Sequence, residues 1–176
     1  SIAMAIAEAL NRDFYKISVG GLNDSTELIG SRRTYLGSMP GKIIQGLSKC
    51  GSNNPLILID EVDKMVKDYK GDPAATLLEI LDPVQNKNFV DNYVEEPFDL
   101  SEVLFILTAN YIGDIPAALL DRVEVITLHS YTLFEKKDIA VNYLLPLALK
   151  ENMVYDSKLK FSDELLYFII NNYTKE

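Results

Sequence analysis

Two short aliphatic runs constrain the fold of this chain more than any other feature of its sequence. Residues 56–59 read Leu-Ile-Leu-Ile and residues 103–107 read Val-Leu-Phe-Ile-Leu. Such runs without alternating polar residues are typical of strands buried on both faces of a parallel sheet. The first run ends in Asp60 and Glu61, and the second in a Thr-Ala-Asn triplet that closes with Asn110. We therefore expect polar side chains to gather at the carboxyl edge of a sheet.

Strand and helix patterns alternate up to about residue 128, and only helical patterns follow. This order predicts an α/β core at residues 1–130 and a helical appendix at residues 131–176. Ser1 is expected to lie inside a helix that begins upstream, since no cap precedes the helical spacing. Residues 22–41 are polar and rich in glycine. The other predicted elements are strands at 14–19 and 123–126, and helices at 43–50, 73–81, 116–120, 132–149 and 162–170.

Capping residues delimit several of these helices. Asp72 precedes a proline and is expected to cap the helix that follows. Thr132 and Glu135 have the spacing of a capping box, and Ser162 is expected to cap the last helix. Pro146 is expected to kink or split the helix in which it lies.

Composition excludes several classes of protein. The chain has 176 residues, 48% of them hydrophobic, which excludes global disorder. No apolar run is long enough to cross a bilayer. Cys50 and His129 are the only residues of their types, so a zinc site or a Cys-His nucleophile is not expected. A net charge of −9 argues weakly against a nucleic-acid backbone as main partner, and nucleic-acid binding stays open.

The Asp60–Glu61 pair is the sharpest chemical signal. Asp60 can hold Mg²⁺ directly or through water, because this ion prefers oxygen ligands. Glu61 can orient or deprotonate an attacking water. Adjacent side chains on an extended backbone point to opposite sides, so the two roles can be divided. The alternative is a buried strand that ends in a solvated acidic turn.

Two further polar residues have both a chemical and a structural interpretation. Asn110 shares a crevice with Glu61 if the two aliphatic strands are neighbours, and its amide could then bind a water or a terminal phosphate. Otherwise it is a turn-forming asparagine. Arg122 can neutralise transition-state charge on a neighbouring subunit's nucleotide, as arginine fingers do, or it can form a local surface pair with Asp121.

A bulky pair lies in the polar segment before residue 42. Tyr35 and Leu36 are followed by Gly37, which places them on a loop that is poorly suited to a core. Such a pair can grip a passing polypeptide sterically, whatever its sequence. Alternatively, one buried tyrosine anchors the loop.

The glycine-rich phosphate loop G-x-x-x-x-G-K-[ST], which a nucleotide site of this design needs, does not occur in residues 1–176. We expect it immediately upstream of Ser1.

Four segments together resemble the AAA+ ATPase module of Lon, the ATP-dependent serine protease family. The segments are 16–21 with 32–45 (a strand and the first pore loop), 58–64 (Walker B), 71–86, and 108–122 (sensor 1 and the arginine-finger region). The Arg-Arg-Thr-Tyr and Leu-Asp-Pro stretches distinguish this family from other AAA+ proteins. The resemblance covers essentially the whole chain. It implies a RecA-like parallel-sheet core followed by the start of a small helical subdomain.

The resemblance assigns roles to the candidate residues. It implies that Asp60 is the magnesium-side acid, that Glu61 is the base for ATP hydrolysis, and that Asn110 is a sensor of water or γ-phosphate. It makes Arg122 a finger that acts on the next subunit. Tyr35, Leu36 and Gly37 become the pore loop that pulls on substrate, and residues 67–72 a second pore-facing loop.

The resemblance also implies what the intact parent does. It would use ATP and Mg²⁺ in a homo-oligomeric ring, expected to be a hexamer, to unfold damaged proteins and push them into a protease chamber. The implied location is a bacterial cytoplasm or a mitochondrial matrix. The chain by itself is expected to bind nucleotide poorly and to be inactive, because the phosphate loop, the arginine of sensor 2 and the protease domain lie outside it. Two alternatives stay open: an AAA+ remodeller without a protease, and a non-hydrolysing AAA+ scaffold.

Overall fold

The structure, a computed structural model, describes residues 2–22, 24–65, 72–154, 159 and 161–174. The chain packs as two units, residues 1–125 and 126–176. The interpretation of residues 1–130 and 131–176 as large and small AAA+ subdomains stays a prediction.

A three-stranded parallel sheet is the centre of the first unit. Its strands are β1 (Phe14–Ser18), β2 (Leu56–Asp60) and β5 (Leu104–Leu107), in the order β1-β2-β5. The register pairs Ser18 with Asp60 and Ile59 with Leu107. The parallel sheet and the neighbouring positions of the two aliphatic strands confirm the predicted α/β class.

The central strand β2 is buried on both faces, as its sequence predicts. Ile57 and Ile59 belong to one apolar cluster, whereas Leu56 and Leu58 belong to a second cluster with α1 (Ile2–Ala9). Successive side chains of a strand point to opposite faces, so each cluster covers one face of the sheet. The four residues of β5 are half-buried, and among the described strands β5 pairs with β2 alone.

Helices and a small hairpin complete the first unit. The short hairpin of β3 (Phe89–Val90) and β4 (Pro97–Phe98) was not predicted, since two-residue strands carry no periodic signal. A short helix, α2, at Thr26–Ile29 lies within the polar, glycine-rich segment 22–41, for which no element was predicted. Helices of this unit after α1 are α2 (Thr26–Ile29), α3 (Lys42–Cys50), α4 (Pro73–Leu81) and α5 (Ala117–Leu120).

The predicted strand at 123–126 is wrong. These residues are described as irregular, and Val125 and Ile126 are 49% and 76% exposed. A strand exists only where a neighbouring backbone accepts and donates its hydrogen bonds, and no described strand pairs with this segment. The β-branched residues of this segment therefore favour a strand, but the segment does not form one.

The second unit is helical, and its first and last described helices begin at the predicted caps. Thr132 and Glu135 form a complete capping box, and the Ser162 hydroxyl accepts a hydrogen bond from the backbone N–H of Leu165. A π-helical turn at Ala140–Leu144 separates the first helix from the one that contains Pro146, which confirms the predicted interruption. The helices are α6 (Leu133–Ile139), α7 (Leu145–Glu151) and α8 (Asp163–Tyr173).

None of the helices in the described part of the chain combines the length and the apolarity needed to span a bilayer.

Candidate active site

Asp60 ends β2 at the carboxyl edge of the sheet, and each of its two carboxylate oxygens contacts a different residue. Lys16 on the adjacent strand places its Nζ 2.5 Å from Oδ2, and the Thr108 hydroxyl donates to Oδ1. The Lys16 ammonium first, and then the Thr108 hydroxyl, hold the pKa of Asp60 below its ordinary value. Asp60 is therefore an ionised carboxylate at neutral pH.

Glu61 is held in an unusual backbone conformation directly after the strand. Its φ of 64° lies in the left-handed region, which costs about 1 kcal/mol or more for a residue other than glycine. The carboxylate is 2.9 Å from Lys64 Nζ. A Cβ atom on Gly20 would lie 2.2 Å from Glu61 Oε2, so Gly20 provides the space that the carboxylate occupies. The left-handed turn thus directs Glu61 towards the end of β1.

Thr108 connects the two acidic residues to the end of β5. Besides its bond to Asp60, its hydroxyl accepts a 3.4 Å hydrogen bond from the Glu61 N–H, and its carbonyl accepts from the Val62 N–H at 3.0 Å. A Thr→Val change would remove both hydroxyl contacts and keep the side-chain volume. Thr108 therefore fixes the backbone on which both carboxylates are carried.

Asn110 lies two residues beyond Thr108 and is exposed. The premise of its predicted role, that β2 and β5 are neighbours, is confirmed. Its hydrogen bond to water or phosphate stays a prediction.

Sequence reasoning missed three residues of this edge as functional candidates: Lys16, Gly20 and Thr108. Lys16 could have been found as the one charged residue of β1, two positions before the strand ends. Gly20 gave only a turn signal, since its close approach to Glu61 depends on the strand pairing. Thr108 was noted as part of a triplet, without a role of its own.

Arg122 follows α5 and forms an ion pair with Asp82, which follows α4. Its Nη1 also donates to the Leu78 carbonyl at 3.4 Å. This partner lies 40 positions away and differs from the Asp121 partner of the local alternative. The backbone N–H of Val84 makes the largest single contribution to lowering the pKa of Asp82, and the Arg122 guanidinium lowers it further. The Arg122 side chain is 36% exposed, so it keeps access to a molecule outside this chain.

Tyr35 and Leu36 protrude from a loop, as predicted. Their side chains are 65% and 107% exposed, and Gly37 has a φ of 78° that favours glycine. The alternative of a buried anchoring tyrosine is wrong. The segment predicted as a second pore-facing loop, residues 67–72, lies outside the described residues except for Asp72, whose side chain caps α4.

The remaining reactive residues do not extend the site. Burial, followed by the nearby Asp13 carboxylate, raises the pKa of the half-buried Cys50 thiol. His129 is exposed.

The carboxylates at this edge are too few to enclose Mg²⁺ by themselves, but they fit a site in which a nucleotide supplies further oxygen ligands. Among the described residues, no group of three or more His, Cys, Asp and Glu side chains is placed to hold a metal ion. Mg²⁺ in nucleotide sites uses one or two carboxylates, and waters and phosphates complete its coordination. The ionised carboxylate of Asp60 meets that requirement.

Comparison with known proteins places these features in a family. Residues 1–131 match the ATPase family associated with various cellular activities, AAA. Over all 176 residues the chain is 54% identical to Lon protease of Ureaplasma parvum, 57% to Lon protease of Mycoplasma mobile and 54% to Lon protease of Clostridioides difficile. It covers 22%, 21% and 22% of those proteins, so it spans about a fifth of their length. A parallel sheet with Asp60 and Glu61 at its carboxyl edge, together with a family match over residues 1–131, means that the chain belongs to the AAA family of ATPases.

Proposed function

We propose that this chain is part of the ATP-driven motor of a Lon-like ATP-dependent serine protease. Membership of the AAA family implies nucleotide binding, and similarity to Lon proteases over the full chain favours a protease motor over an AAA+ remodeller. The observation that carries the proposal is the pair Asp60–Glu61, fixed at the carboxyl edge of the sheet by Thr108. An edge of this kind is where α/β proteins bind ligands.

The residues of the edge divide the work of hydrolysis. Mg²⁺, when bound, supplies the positive charge that offsets the negative charge developing on the phosphates, and Asp60 would hold it. Glu61 accepts a proton from the attacking water, for which its exposed carboxylate is accessible. Asn110 orients that water or a terminal phosphate through its amide.

Arg122 acts in trans. It is partly exposed and lies outside the strand edge that holds Asp60 and Glu61, so we infer that it contributes to the nucleotide site of a neighbouring subunit. A ring of identical subunits, expected to be a hexamer, supplies such a neighbour at every interface.

Tyr35 and Leu36 make contact with the protein substrate. Two exposed bulky side chains on one loop can hold unfolded or damaged polypeptides without reading their sequence. Differences in nucleotide binding between subunits then move the loop and push the polypeptide towards a protease chamber. We propose a cytoplasmic location by analogy with the bacterial relatives.

Replacement of Glu61 by Gln in the complete protein tests the proposal. ATP hydrolysis should fall about 100- to 10,000-fold, the usual loss for a positioned general base, while ATP affinity stays within about threefold. Steady-state phosphate release and equilibrium binding of a fluorescent ATP analogue measure the two quantities.

Glu79→Gln is the matched control, because Glu79 is exposed on α4 and the change in charge is the same. It should hydrolyse ATP at the normal rate. Normal turnover in Glu61→Gln would refute the role of Glu61 as base.

A further inference from the structure

The loop that carries Tyr35 and Leu36 is closed on itself below its exposed tip. The Ser31 N–H donates to the Met39 carbonyl and the Met39 N–H donates to the Ser31 hydroxyl, both at 3.2 Å. Inside the loop, the Tyr35 N–H donates to the Arg32 carbonyl at 3.0 Å. The tip is therefore carried on a short, hydrogen-bonded stem.

Two glycines form the neck where this stem enters the domain. Gly30 has a φ of 78°, and a Cβ atom there would lie 2.7 Å from Asp91 Oδ1. A Cβ atom on Gly41 would lie 2.1 Å from the Leu28 carbonyl oxygen. Only glycine lets the two ends of the loop approach each other and Asp91 this closely.

Asp91 is almost completely buried, with 1% of its surface exposed, and its two oxygens serve different segments. Oδ2 accepts a 2.7 Å hydrogen bond from the Gly41 N–H at the neck. Oδ1 accepts from the N–H groups of Tyr93 and Val94, at 2.8 and 3.0 Å, in the turn between β3 and β4. Buried hydrogen bonds to an ionised acceptor are among the stronger ones in proteins.

The next residue reinforces the same junction. The Asn92 N–H donates to the Ile29 carbonyl at 2.7 Å, and its side-chain amide donates to the Gly30 carbonyl at 3.1 Å. The turn therefore contacts the loop on both sides of its neck.

Arg33 makes a second connection closer to the tip. Its Nε donates to the Tyr93 carbonyl, and Nη2 donates to the Val94 carbonyl at 3.3 Å. Its guanidinium carbon also lies 5.2 Å from the centroid of the Tyr93 ring, within the range of a cation–π interaction. Arg33 is two residues from Tyr35, so it can restrict the motion of the tip.

We propose that Asp91 and Arg33 are positioning residues that fasten the Tyr35–Leu36 loop to the turn at residues 91–94, so that the loop and the β3–β4 hairpin act on a substrate polypeptide as one unit. This inference rests on the proposed role of Tyr35 in gripping substrate. A loop fastened at its neck and along its stem resists a backward pull, whereas an unfastened loop yields to it.

Amide hydrogen exchange in the complete protein tests the connection itself. In Asp91→Asn the remaining carbonyl oxygen can keep the bonds to Tyr93 and Val94, but an NH₂ donor then faces the Gly41 N–H. Exchange in residues 31–41 should become about tenfold or more faster, as expected for loss of a hydrogen bond to a charged group, with exchange in β2 unchanged. Unchanged exchange in 31–41, or an equal rise in β2, would overturn the inference.

Arg33→Ala gives the same test without a change in a buried residue, and it decides the question if Asp91→Asn does not fold. Arg32→Ala is its matched control, because Arg32 is exposed in the same loop and loses the same charge. Only Arg33→Ala should accelerate exchange in residues 31–41. Equal acceleration by both variants would contradict a specific connection.

Substrate degradation tests the mechanical consequence. Arg33→Ala should slow degradation of a stably folded protein about tenfold more than degradation of an unfolded one, with ATP hydrolysis within about twofold of normal. A general loss of stability would lower all three rates together. Arg33→Lys keeps the charge but loses the two-point contact, so it should restore only part of the rate. Full restoration by lysine, or equal slowing of both substrates, would overturn the positioning role.

The two proposals fail separately. If Tyr35→Ala degrades the folded substrate normally, the gripping role of the loop is refuted, and exchange in residues 31–41 still decides whether Asp91 and Arg33 fasten the loop. If Tyr35→Ala is defective but Arg33→Ala and Asp91→Asn are normal in both assays, the gripping role stands and the inference is refuted.

Discussion

The edge at Asp60 and Glu61 and the loop at Tyr35 and Leu36 belong to one unit but are built in opposite ways. At the edge, both of these carboxylates have partners: Lys16 and Thr108 for Asp60, and Lys64 for Glu61. On the loop, the side chains at the tip are largely exposed, and the polar contacts lie below them at the neck and stem.

The difference follows from what each region is proposed to do. Hydrolysis needs groups that are fixed before the reaction, because electrostatic stabilisation is strongest when the dipoles and charges do not reorganise. Gripping a polypeptide of any sequence needs bulky exposed side chains at the tip of the loop. The rigidity then has to come from contacts at the neck and stem of the loop. The edge gains its rigidity from a strand buried on both faces, and the loop gains it from the buried Asp91.

The largest expected effect is the loss of ATP hydrolysis when Arg122, which we propose acts on a neighbouring subunit, is replaced. Arg122→Ala should lower ATP hydrolysis about 1,000-fold or more, the usual contribution of an arginine finger. Mixing it with the inactive Glu61→Gln variant should restore part of the activity, since some interfaces then combine an intact Glu61 with an intact Arg122.

The mixing experiment has a built-in control. Subunits that carry both substitutions should not be rescued by subunits that carry Glu61→Gln. If the mixed single variants stay as inactive as each alone, Arg122 does not act in trans.

A smaller effect is expected when the edge is disturbed without removal of a functional group. A methyl group at Gly20 displaces the Glu61 carboxylate, which is the flexible end of a side chain, and the backbone of Gly20 tolerates alanine. Gly20→Ala should therefore lower ATP hydrolysis about 100-fold, as misplacement of a catalytic group by about 1 Å does. The melting temperature should change little.

Gly21→Ala is the comparison for Gly20. Its Cβ meets nothing within 4 Å, but its φ of 80° strains any other residue. It should cost about 1 kcal/mol of stability while it spares hydrolysis. If Gly20→Ala hydrolyses ATP as fast as Gly21→Ala, Gly20 does not place Glu61.

The loop is expected to show the reverse pattern. Tyr35→Ala should reduce degradation of a folded protein about tenfold, the scale for loss of a contact residue, with ATP hydrolysis nearly unchanged. Tyr131→Ala removes another exposed tyrosine and should have no effect. Equal losses of hydrolysis and degradation in Tyr35→Ala would remove the proposed division between the two regions.

The smallest effect concerns the charge of Asp60. Because its pKa is lowered in the folded protein, its interactions stabilise the fold fully above the ordinary value of 3.8, and this stability is lost as pH falls through the lower folded-state pKa. Lys16→Met removes the largest cause, so an NMR titration should show the pKa of Asp60 move up towards 3.8. Lys87→Met, which replaces an exposed lysine elsewhere, should leave the pKa of Asp60 unchanged. If the pKa of Asp60 does not change in Lys16→Met, the ion pair between the two residues does not form in solution.

The elements that could be predicted from the sequence are those whose signals lie within a few residues of one another. The run at 56–59 indicated a strand buried on both faces, because a short aliphatic run without alternation suits a strand that packs apolar side chains on each face. Asp72, Thr132 and Ser162 specified where helices begin, since a capping side chain bonds to N–H groups two or three residues away. The family resemblance likewise rested on contiguous segments, and the match over residues 1–131 bears it out.

Pairings between distant residues, in contrast, depend on the fold as a whole. Arg122 meets Asp82 forty positions away, Gly41 meets Asp91 fifty positions away, and the space for Glu61 is set by Gly20 across the sheet. The segment 123–126 has the residues of a strand, yet no neighbouring backbone pairs with it in the described part of the chain. Local patterns define which conformation a segment prefers, whereas hydrogen-bond partners and close approaches depend on which segments the fold brings together.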